Sequence, residues 1–201
     1  DVCSSDLPYP EYAAMRAAAR ENGVPFRYET TVGAALPMLE SISRGAFGSD
    51  EILSLAARAF VEDSGAIGSF NPSYSLYKTL ADIRNVAFRP TELGEGFAWA
   101  EPETENVELF LLTNPNAPTS LRYADSDITG FAKRFEGVLL IDEAYADFAL
   151  KSLDFLAAAP ENANTIVMRT LSKSASLAGL RLGYAIGPEE LVEALYKVKD
   201  S

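Results

Sequence analysis

The chain has 201 residues, of which 48% are hydrophobic, and a formal net charge of −12 at pH 7. A chain of this length can bury a core of its own, and its acidic balance disfavours nucleic acids and anionic membrane surfaces as partners. Histidine is absent and Cys3 is the single cysteine. Catalysis by a Ser-His-Asp or Cys-His arrangement, a histidine-ligated zinc site and an internal disulfide are therefore excluded.

Any enzyme built from this sequence must use lysine, tyrosine, aspartate or glutamate for its proton transfers. We expect no metal centre. The lone cysteine fits a reducing compartment, and no apolar run reaches the length of a membrane span. We therefore expect a cytoplasmic protein.

The first 43 residues predict one helix and one strand. Residues 11–22 are alanine-rich and are followed by Gly23, which favours a helix that ends at a glycine. Residues 26–32 combine aromatic and β-branched side chains, which is typical of a strand, and Gly33 ends it.

From residue 45 onwards the pattern becomes an alternation of helices and strands. A helix is predicted at 52–61 with Ser49 or Asp50 as its N-cap, and a helix start of this kind also offers free backbone N–H groups to a phosphate. The elements that follow are a strand at 66–70, a helix reaching 83, a short apolar piece at 84–88 closed by Pro90, an irregular acidic stretch at 91–106, a strand at 107–112, a helix at 125–135, strands at 138–141 and 165–168, and a helix at 189–199. This alternation predicts a mostly parallel α/β sheet with helices on both faces.

Three consecutive strands of this sheet end in polar loops, at 114–119, 142–145 and 170–173. Because ligands of open α/β sheets bind at the carboxyl ends of the strands, we expect the three loops to form one site. Asp142 directly follows an apolar run, so its carboxylate lies at a strand end, and Tyr145 can bring a phenol to the same pocket. A buried carboxylate needs a cationic or donating partner, and no cation is near in sequence, which makes the protonated ring nitrogen of a cofactor an attractive one.

Lys173 is the candidate nucleophile. It lies among small residues that include Ser172 and Ser174, and no acidic residue is near it in sequence. A lone loop lysine is usually a solvated surface residue, but a neighbouring cation, Arg181, and partial desolvation would both favour the neutral amine that Schiff-base chemistry requires. Arg181 and Ser172, together with the helix start at 49–50, also contain the groups of a phosphate site.

Five stretches, in order along the chain, resemble the class I and II pyridoxal-phosphate aminotransferases. They are GSDEILSLAARAF, NPSYSLYKTLA, TNPNAPTS, LLIDEAYADF and RTLSKSASLAGLRLGYAIG. Histidinol-phosphate aminotransferases are the group they resemble most. The resemblance implies that residues 44–201 form part of the large domain of a fold type I transferase dependent on pyridoxal phosphate, a three-layer helix–sheet–helix domain, with the small domain missing.

The resemblance also implies a role for each motif residue. Lys173 would form the Schiff base with pyridoxal 5′-phosphate and move the proton during catalysis. Asp142 would keep the ring nitrogen protonated, and Tyr145 would hydrogen-bond the phenolic oxygen. Many relatives carry asparagine where Ala117 stands, so that contact would come from Asn116 or be lost. The remaining cofactor contacts are implied for Tyr74, which would stack on the ring, and for the phosphate-binding residues Ser49, Asp50, Ser172 and Arg181.

The implied activity is amino transfer between histidinol phosphate and a 2-oxo acid such as 2-oxoglutarate, in histidine biosynthesis, by a homodimer. We expect a truncated and impaired form, because the family's N-terminal arm and its small domain, with the arginine that binds the substrate carboxylate, have no counterpart in this sequence. Another aminotransferase or a phosphothreonine decarboxylase of similar motifs is the alternative within the family.

A different family is suggested by VPFRYETTVGAALPMLESI, which resembles a segment of homoserine dehydrogenases, as does DVCSSDLPYPEYAAMRAAA before it. On that resemblance residues 1–43 form a separate, dehydrogenase-like segment. The chain would then be a nicotinamide oxidoreductase remnant, or a non-catalytic fragment or chimera of two genes. A glycine-rich nucleotide loop is missing, which weighs against oxidoreductase activity.

Overall fold

The structure is a computed structural model that describes residues 48–149, Phe155 and 162–199. The chain divides into two compact units, 1–43 and 44–201, and every described residue belongs to the second. The helix and strand predicted within the first 43 residues, and the segment that resembles homoserine dehydrogenases, lie outside the described part.

The described chain contains six strands and four α-helices. The strands are β1 Ala66–Asn71, β2 Ala87–Glu92, β3 Val107–Thr113, β4 Val138–Asp142, β5 Thr165–Thr170 and β6 Gly183–Ile186. The helices are α1 Ser49–Phe60, α2 Leu76–Arg84, α3 Asp125–Arg134 and α4 Glu189–Val198. Short 3₁₀ turns occur at Glu95–Phe97, Ala146–Phe148 and Ala178–Leu180.

The strands form one sheet in the order β2-β1-β3-β4-β5-β6. All neighbouring strands are parallel except β5 and β6, which are antiparallel. The predicted mostly parallel α/β sheet is therefore confirmed. Parallel strands need crossover connections, and α2 and α3 provide two of them.

The two faces of the sheet are covered by different helices. One face contributes Phe70, Phe110 and Leu139 to an apolar cluster with Ile128 and Phe131 of α3. Most ring pairs in this cluster meet edge to face, such as Phe110 and Phe131 at 5.1 Å between centroids, a geometry worth about 0.5–1.5 kcal/mol per pair beyond burial. Helix α1 contacts α2, α4, β3, β5 and β6 and contributes no described residue to that cluster, so it covers the opposite face.

Two local predictions differ from the structure. The apolar piece expected to end at Pro90 continues as β2 to Glu92. Proline is tolerated there because β2 is the edge strand, where one side of the backbone has no neighbour to bond. Neither Ser49 nor Asp50 is the N-cap of α1; Gly48 precedes the helix with a φ of 77°, and no side chain caps it.

The carboxyl ends of β3, β4 and β5 lie side by side. Thr113 is in register with Asp142, and Asp142 is in register with Met168. Beyond the strands, Asn114 N–H donates to Asp142 O and Glu143 N–H donates to Met168 O, each at 2.9 Å. The loops that follow these strands therefore start from one edge.

Among the described residues, none of the helices has the length and apolar character that crossing a membrane requires.

Gly183 allows β6 to approach the start of α1. A Cβ atom added at Gly183 would lie 2.6 Å from Ser49 N and 2.9 Å from Ser49 Cα, both backbone atoms. Real Cβ atoms do not come so close to backbone, so any larger residue at 183 must push β6 and α1 apart.

Gly183→Ala is expected to lower the free energy of unfolding by about 1–3 kcal/mol, the usual cost of overpacking. Urea unfolding of the full chain measures it. Gly179→Ala is the matched control, since nothing lies within 4 Å of its added Cβ, and it should change the midpoint little. Equal midpoints for the two variants would contradict the close approach.

Candidate active site

Asp142 is the buried acid at the centre of the strand ends. It is the last residue of β4 and is 4% exposed. Its Oδ1 accepts the Ala144 N–H at 3.0 Å and its Oδ2 accepts the Tyr77 hydroxyl at 2.9 Å. Within the described part of the chain, no lysine or arginine is within ion-pair distance of this carboxylate. Only neutral dipoles contact it directly.

Burial raises the pKa of Asp142 from its ordinary 3.8 to about 6. The hydrogen bonds from Ala144 and Tyr77 act in the opposite direction, because both donate to the charged form. Of the more distant charges, Asp50 raises the pKa and Lys173 lowers it. An added cationic donor beside Asp142 would therefore stabilise the charged carboxylate.

Lys173 lies three residues beyond the end of β5. Its Nζ is 5.4 Å from the centre of the Tyr145 ring, and Tyr145 lies three residues beyond Asp142. The structure thus brings the predicted lysine and phenol together. The lysine is exposed, however, so the described residues do not supply the desolvation expected for it from the sequence.

The loop that carries Lys173 is held by polar contacts on both sides. Leu171 N–H donates to Leu182 O at 3.0 Å, and Ser172 N–H donates to Thr170 Oγ1 at 3.2 Å. Ser174, the next residue after Lys173, donates its hydroxyl to Asp147 in a short hydrogen bond. The loop after β4 and the loop after β5 are therefore linked directly beside Lys173.

A buried ion pair also links the end of β5 to the start of the loop after β4. Arg169 on β5 donates from Nε to Glu143 Oε2 at 2.8 Å, and its Nη2 is 2.7 Å from the same oxygen. The Glu143 side chain is 3% exposed and that of Arg169 13%. Arg169 Nη1 is also 4.0 Å from Asp147 Oδ1. Separating a buried pair leaves each charge uncompensated, which is strongly unfavourable. The pair therefore fixes the ends of β4 and β5 relative to each other.

The predicted phosphate residues gather at the start of α1. Arg181 Nη2 is 3.2 Å from Asp50 Oδ2, and the Tyr74 hydroxyl donates to Asp50 Oδ1 at 3.4 Å. No side chain caps the first turn of α1. The backbone N–H groups of Ser49 and Asp50 at this helix start are therefore not hydrogen-bonded by a capping side chain. A Cβ atom added at Gly48, directly before α1, would lie 3.4 Å from Arg181 Nη2. The structure therefore brings Asp50, Tyr74 and Arg181 together at the helix start.

The side-chain amide of Asn116 is hydrogen-bonded to other residues of the protein. It is 2% exposed; its Nδ2 donates to Pro72 O at 2.9 Å and to Thr119 Oγ1 at 3.1 Å, and its Oδ1 accepts the Ser73 hydroxyl at 3.0 Å. Both amide protons and the carbonyl oxygen already have partners. The expected cofactor contact from Asn116 therefore has no amide proton left to make it.

Sequence reasoning missed Tyr77, Thr113 and the Glu143–Arg169 pair. The signal for Tyr77 was its spacing of three from Tyr74 at a helix start, which puts both rings on one face; the ring centroids are 5.6 Å apart. Thr113 is the last residue of β3, in register with Asp142. No sequence pattern identified Arg169 as the partner of Glu143, because that contact depends on the pairing of β4 with β5.

Asp142→Asn is expected to make the chain progressively more stable than the wild type as pH rises from 4 to 8. The folded chain holds the Asp142 proton more tightly than the unfolded chain, so the stability from this group is complete below pH 3.8 and is lost as pH rises through about 6. The two pKa values correspond to about 3 kcal/mol at most. Urea unfolding across this range measures the difference.

Asp82→Asn is the control for that series, since Asp82 is exposed and paired with Lys78 on the surface. Its difference from the wild type should stay within about 0.5 kcal/mol at every pH. A wild-type chain that gained stability over Asp142→Asn as pH rose would show that the carboxylate is not penalised by burial.

Comparison with known proteins places the chain in a family. The family model described as aminotransferase class I and II matches residues 46–201. The histidinol-phosphate aminotransferase of Syntrophotalea carbinolica is 47% identical over 155 residues, covering 76% of this chain and 44% of the relative. That of Geobacter sp. strain M21 is 39% identical over 209 residues, covering 98% of this chain and 59% of the relative.

Solved structures share the fold. A histidinol-phosphate aminotransferase from Sinorhizobium meliloti in complex with pyridoxal-5′-phosphate gives a TM-score of 0.68 at 22% identity, over 77% of this chain and 44% of that one. An aspartate aminotransferase from Thermus thermophilus with maleate gives a TM-score of 0.68 at 21% identity, over 76% of this chain and 43% of that one.

The chain spans about half the length of the curated relatives it matches. The match to the Geobacter relative includes nearly all of the first 43 residues, so it gives the homoserine dehydrogenase and chimera interpretations no support. The resemblance of the five motifs is confirmed: this chain belongs to the class I and II aminotransferase family.

Proposed function

We propose that this chain binds pyridoxal 5′-phosphate and provides the cofactor-binding part of an enzyme that transfers an amino group between histidinol phosphate and a 2-oxo acid. The observation that carries the proposal is the Asp142 carboxylate, buried at the same sheet edge as Lys173 and contacted directly only by neutral donors. The names of the relatives support the choice of histidinol phosphate as a substrate. The choice of 2-oxoglutarate as the 2-oxo acid rests on the resemblance of the motifs alone.

Asp142 fits the ring nitrogen of the cofactor. An ionised carboxylate has about four lone-pair positions, and the described partners, Ala144 and Tyr77, use two of them. A protonated pyridine nitrogen supplies both a positive charge and an N–H donor, which gives the stronger, charge-assisted kind of hydrogen bond. The same interaction would offset the burial that raises the pKa of Asp142.

When bound, the cofactor supplies an electron sink that makes the amino acid Cα–H bond easier to break. Lys173 would provide the amine that holds the cofactor and the base that moves the Cα proton. Its exposure in the described chain leaves it accessible to both partners. Tyr145, beside Lys173, would donate its phenol to the cofactor's phenolic oxygen, and Tyr74 would lie against the ring.

The start of α1 would hold the phosphate. Ser49 and Asp50 would donate backbone N–H groups, Ser172 its hydroxyl and Arg181 its guanidinium. The Asp50 carboxylate would repel a phosphate, and it already contacts Arg181 and Tyr74. We therefore assign the Asp50 carboxylate the role of holding Arg181 and Tyr74 in place. Only the backbone of Asp50 would face the phosphate.

Asn116 is given a supporting role. Its amide ties the loop after β3 to Pro72 and Ser73, in the loop that carries Tyr74. It would keep that loop in place without contacting the cofactor. A homodimer in the cytoplasm completes the proposal; the lone Cys3 of the sequence is consistent with a reducing compartment.

Treatment of the chain with pyridoxal phosphate and then borohydride should fix the cofactor on Lys173, since reduction makes the Schiff-base link permanent. Peptide mass mapping at equimolar cofactor locates it. Lys173→Ala should lose the visible absorbance of the complex. Lys78→Ala, which removes an exposed lysine paired with Asp82, should retain it. An adduct on Lys78 in the wild-type chain would contradict the assignment of Lys173.

A further inference from the structure

Tyr77 connects three elements beneath the proposed cofactor site. Its hydroxyl lies 2.6 Å from Thr113 Oγ1 on β3 and 2.9 Å from Asp142 Oδ2 on β4, while its own backbone belongs to α2. Tyr77 is 0% exposed and Thr113 2%. The two hydroxyls and the carboxylate thus form a buried hydrogen-bonded row.

The number of protons fixes the direction of these hydrogen bonds. An ionised Asp142 can only accept, so the single Tyr77 proton is donated to Oδ2. The Tyr77 oxygen then accepts the Thr113 proton. Ser73 Oγ lies 3.3 Å from Thr113 Oγ1 but 3.0 Å from Asn116 Oδ1, which accepts its proton. Each hydroxyl in this row thus donates to one acceptor, and the last acceptor is the charged carboxylate of Asp142.

A protonated Asp142 would permit the opposite direction, with Tyr77 donating to Thr113. The donation from Tyr77 therefore selects the ionised carboxylate. The other ionisable groups that act on Asp142 come from separate elements: Asp50 on α1 opposes the negative charge, Lys173 after β5 favours it, and Tyr74 faces both acids. Tyr77 alone among these touches the carboxylate.

We propose that Tyr77, supported by Thr113, is a positioning residue that holds the Asp142 carboxylate ionised and oriented for the ring nitrogen of the cofactor. This inference rests on the proposed function. Tyr77 itself meets no reacting atom, because it is fully buried and its hydroxyl is used by Thr113 and Asp142. Its effect on the cofactor must pass through Asp142.

The test compares pyridoxal phosphate with an analogue that carries carbon in place of the ring nitrogen. Tyr77→Phe should weaken binding of pyridoxal phosphate about 10-fold or more, the usual consequence of losing a hydrogen bond to a charged group. Binding of the analogue, which offers Asp142 no donor, should change less than about 2-fold. Thr113→Val should show the same pattern with a smaller loss, since Tyr77 can still donate.

Tyr123→Phe is the matched control. Tyr123 is also buried, and its hydroxyl has no hydrogen-bond partner in the described part of the chain. It should bind both compounds like the wild type. Equal losses for the two compounds in Tyr77→Phe would mean that the variant disturbs packing alone, and no loss for either would mean that Tyr77 is not needed. Either result overturns the proposal.

A second measurement needs no cofactor. Carbon-13 NMR of labelled aspartate in the cofactor-free chain should show a higher pKa for Asp142 in Tyr77→Phe than in the wild type, and no change in Tyr123→Phe. If the wild-type chain fails to bind pyridoxal phosphate, the proposed function fails, while this titration still decides the role of Tyr77. An unchanged Asp142 pKa in Tyr77→Phe overturns the inference.

Discussion

The main physical constraint on the described site is one carboxylate, that of Asp142, buried at the end of a central strand. Transfer of a charge out of water is opposed by several kcal/mol even after relaxation, so a buried carboxylate needs donors held close to it. The register of β3 with β4 puts Thr113 beside it, and α2 brings Tyr77 against it. The aromatic cluster on the opposite face, built around Phe110 and α3, holds those strands in place.

Two other carboxylates near the site are paired with arginines, which sets Asp142 apart. Arg169 neutralises Glu143 below the strand ends, and Arg181 contacts Asp50 at the start of α1. The contacts of Asp142 in the described part of the chain are dipoles alone, and burial raises its pKa more than the distant Lys173 lowers it. A pKa shifted by burial in this way is common among the residues of catalytic and binding sites. In a class I and II aminotransferase it gives a physical reason for the cofactor's ring nitrogen to bind there in its protonated form.

The sequence predicted the fold well where the pattern was local. Apolar runs of strand length, separated by helical periodicity and ended by polar loops, indicated the parallel sheet and the edge at which Asp142 and Lys173 both lie. It was less informative where pairing between distant segments decides the outcome. A cofactor contact was expected to come from Asn116 or to be lost, and the amide contacts of Asn116 with Pro72, Ser73 and Thr119 form only in the folded loops. Tyr77 was taken as part of an ordinary helix because nothing in its local sequence shows that β4 will bring a carboxylate to it.

The central claim is that Asp142 holds a positively charged ring nitrogen. Nitrogen-15 NMR of pyridoxal phosphate labelled at that nitrogen, bound to the full chain at pH 8, tests it most directly, because protonated and neutral pyridine nitrogens have well-separated chemical shifts. The account predicts the shift of a protonated nitrogen in the wild-type chain and of a neutral one in Asp142→Asn. A neutral ring nitrogen in a wild-type complex that carries the cofactor on Lys173 would contradict it.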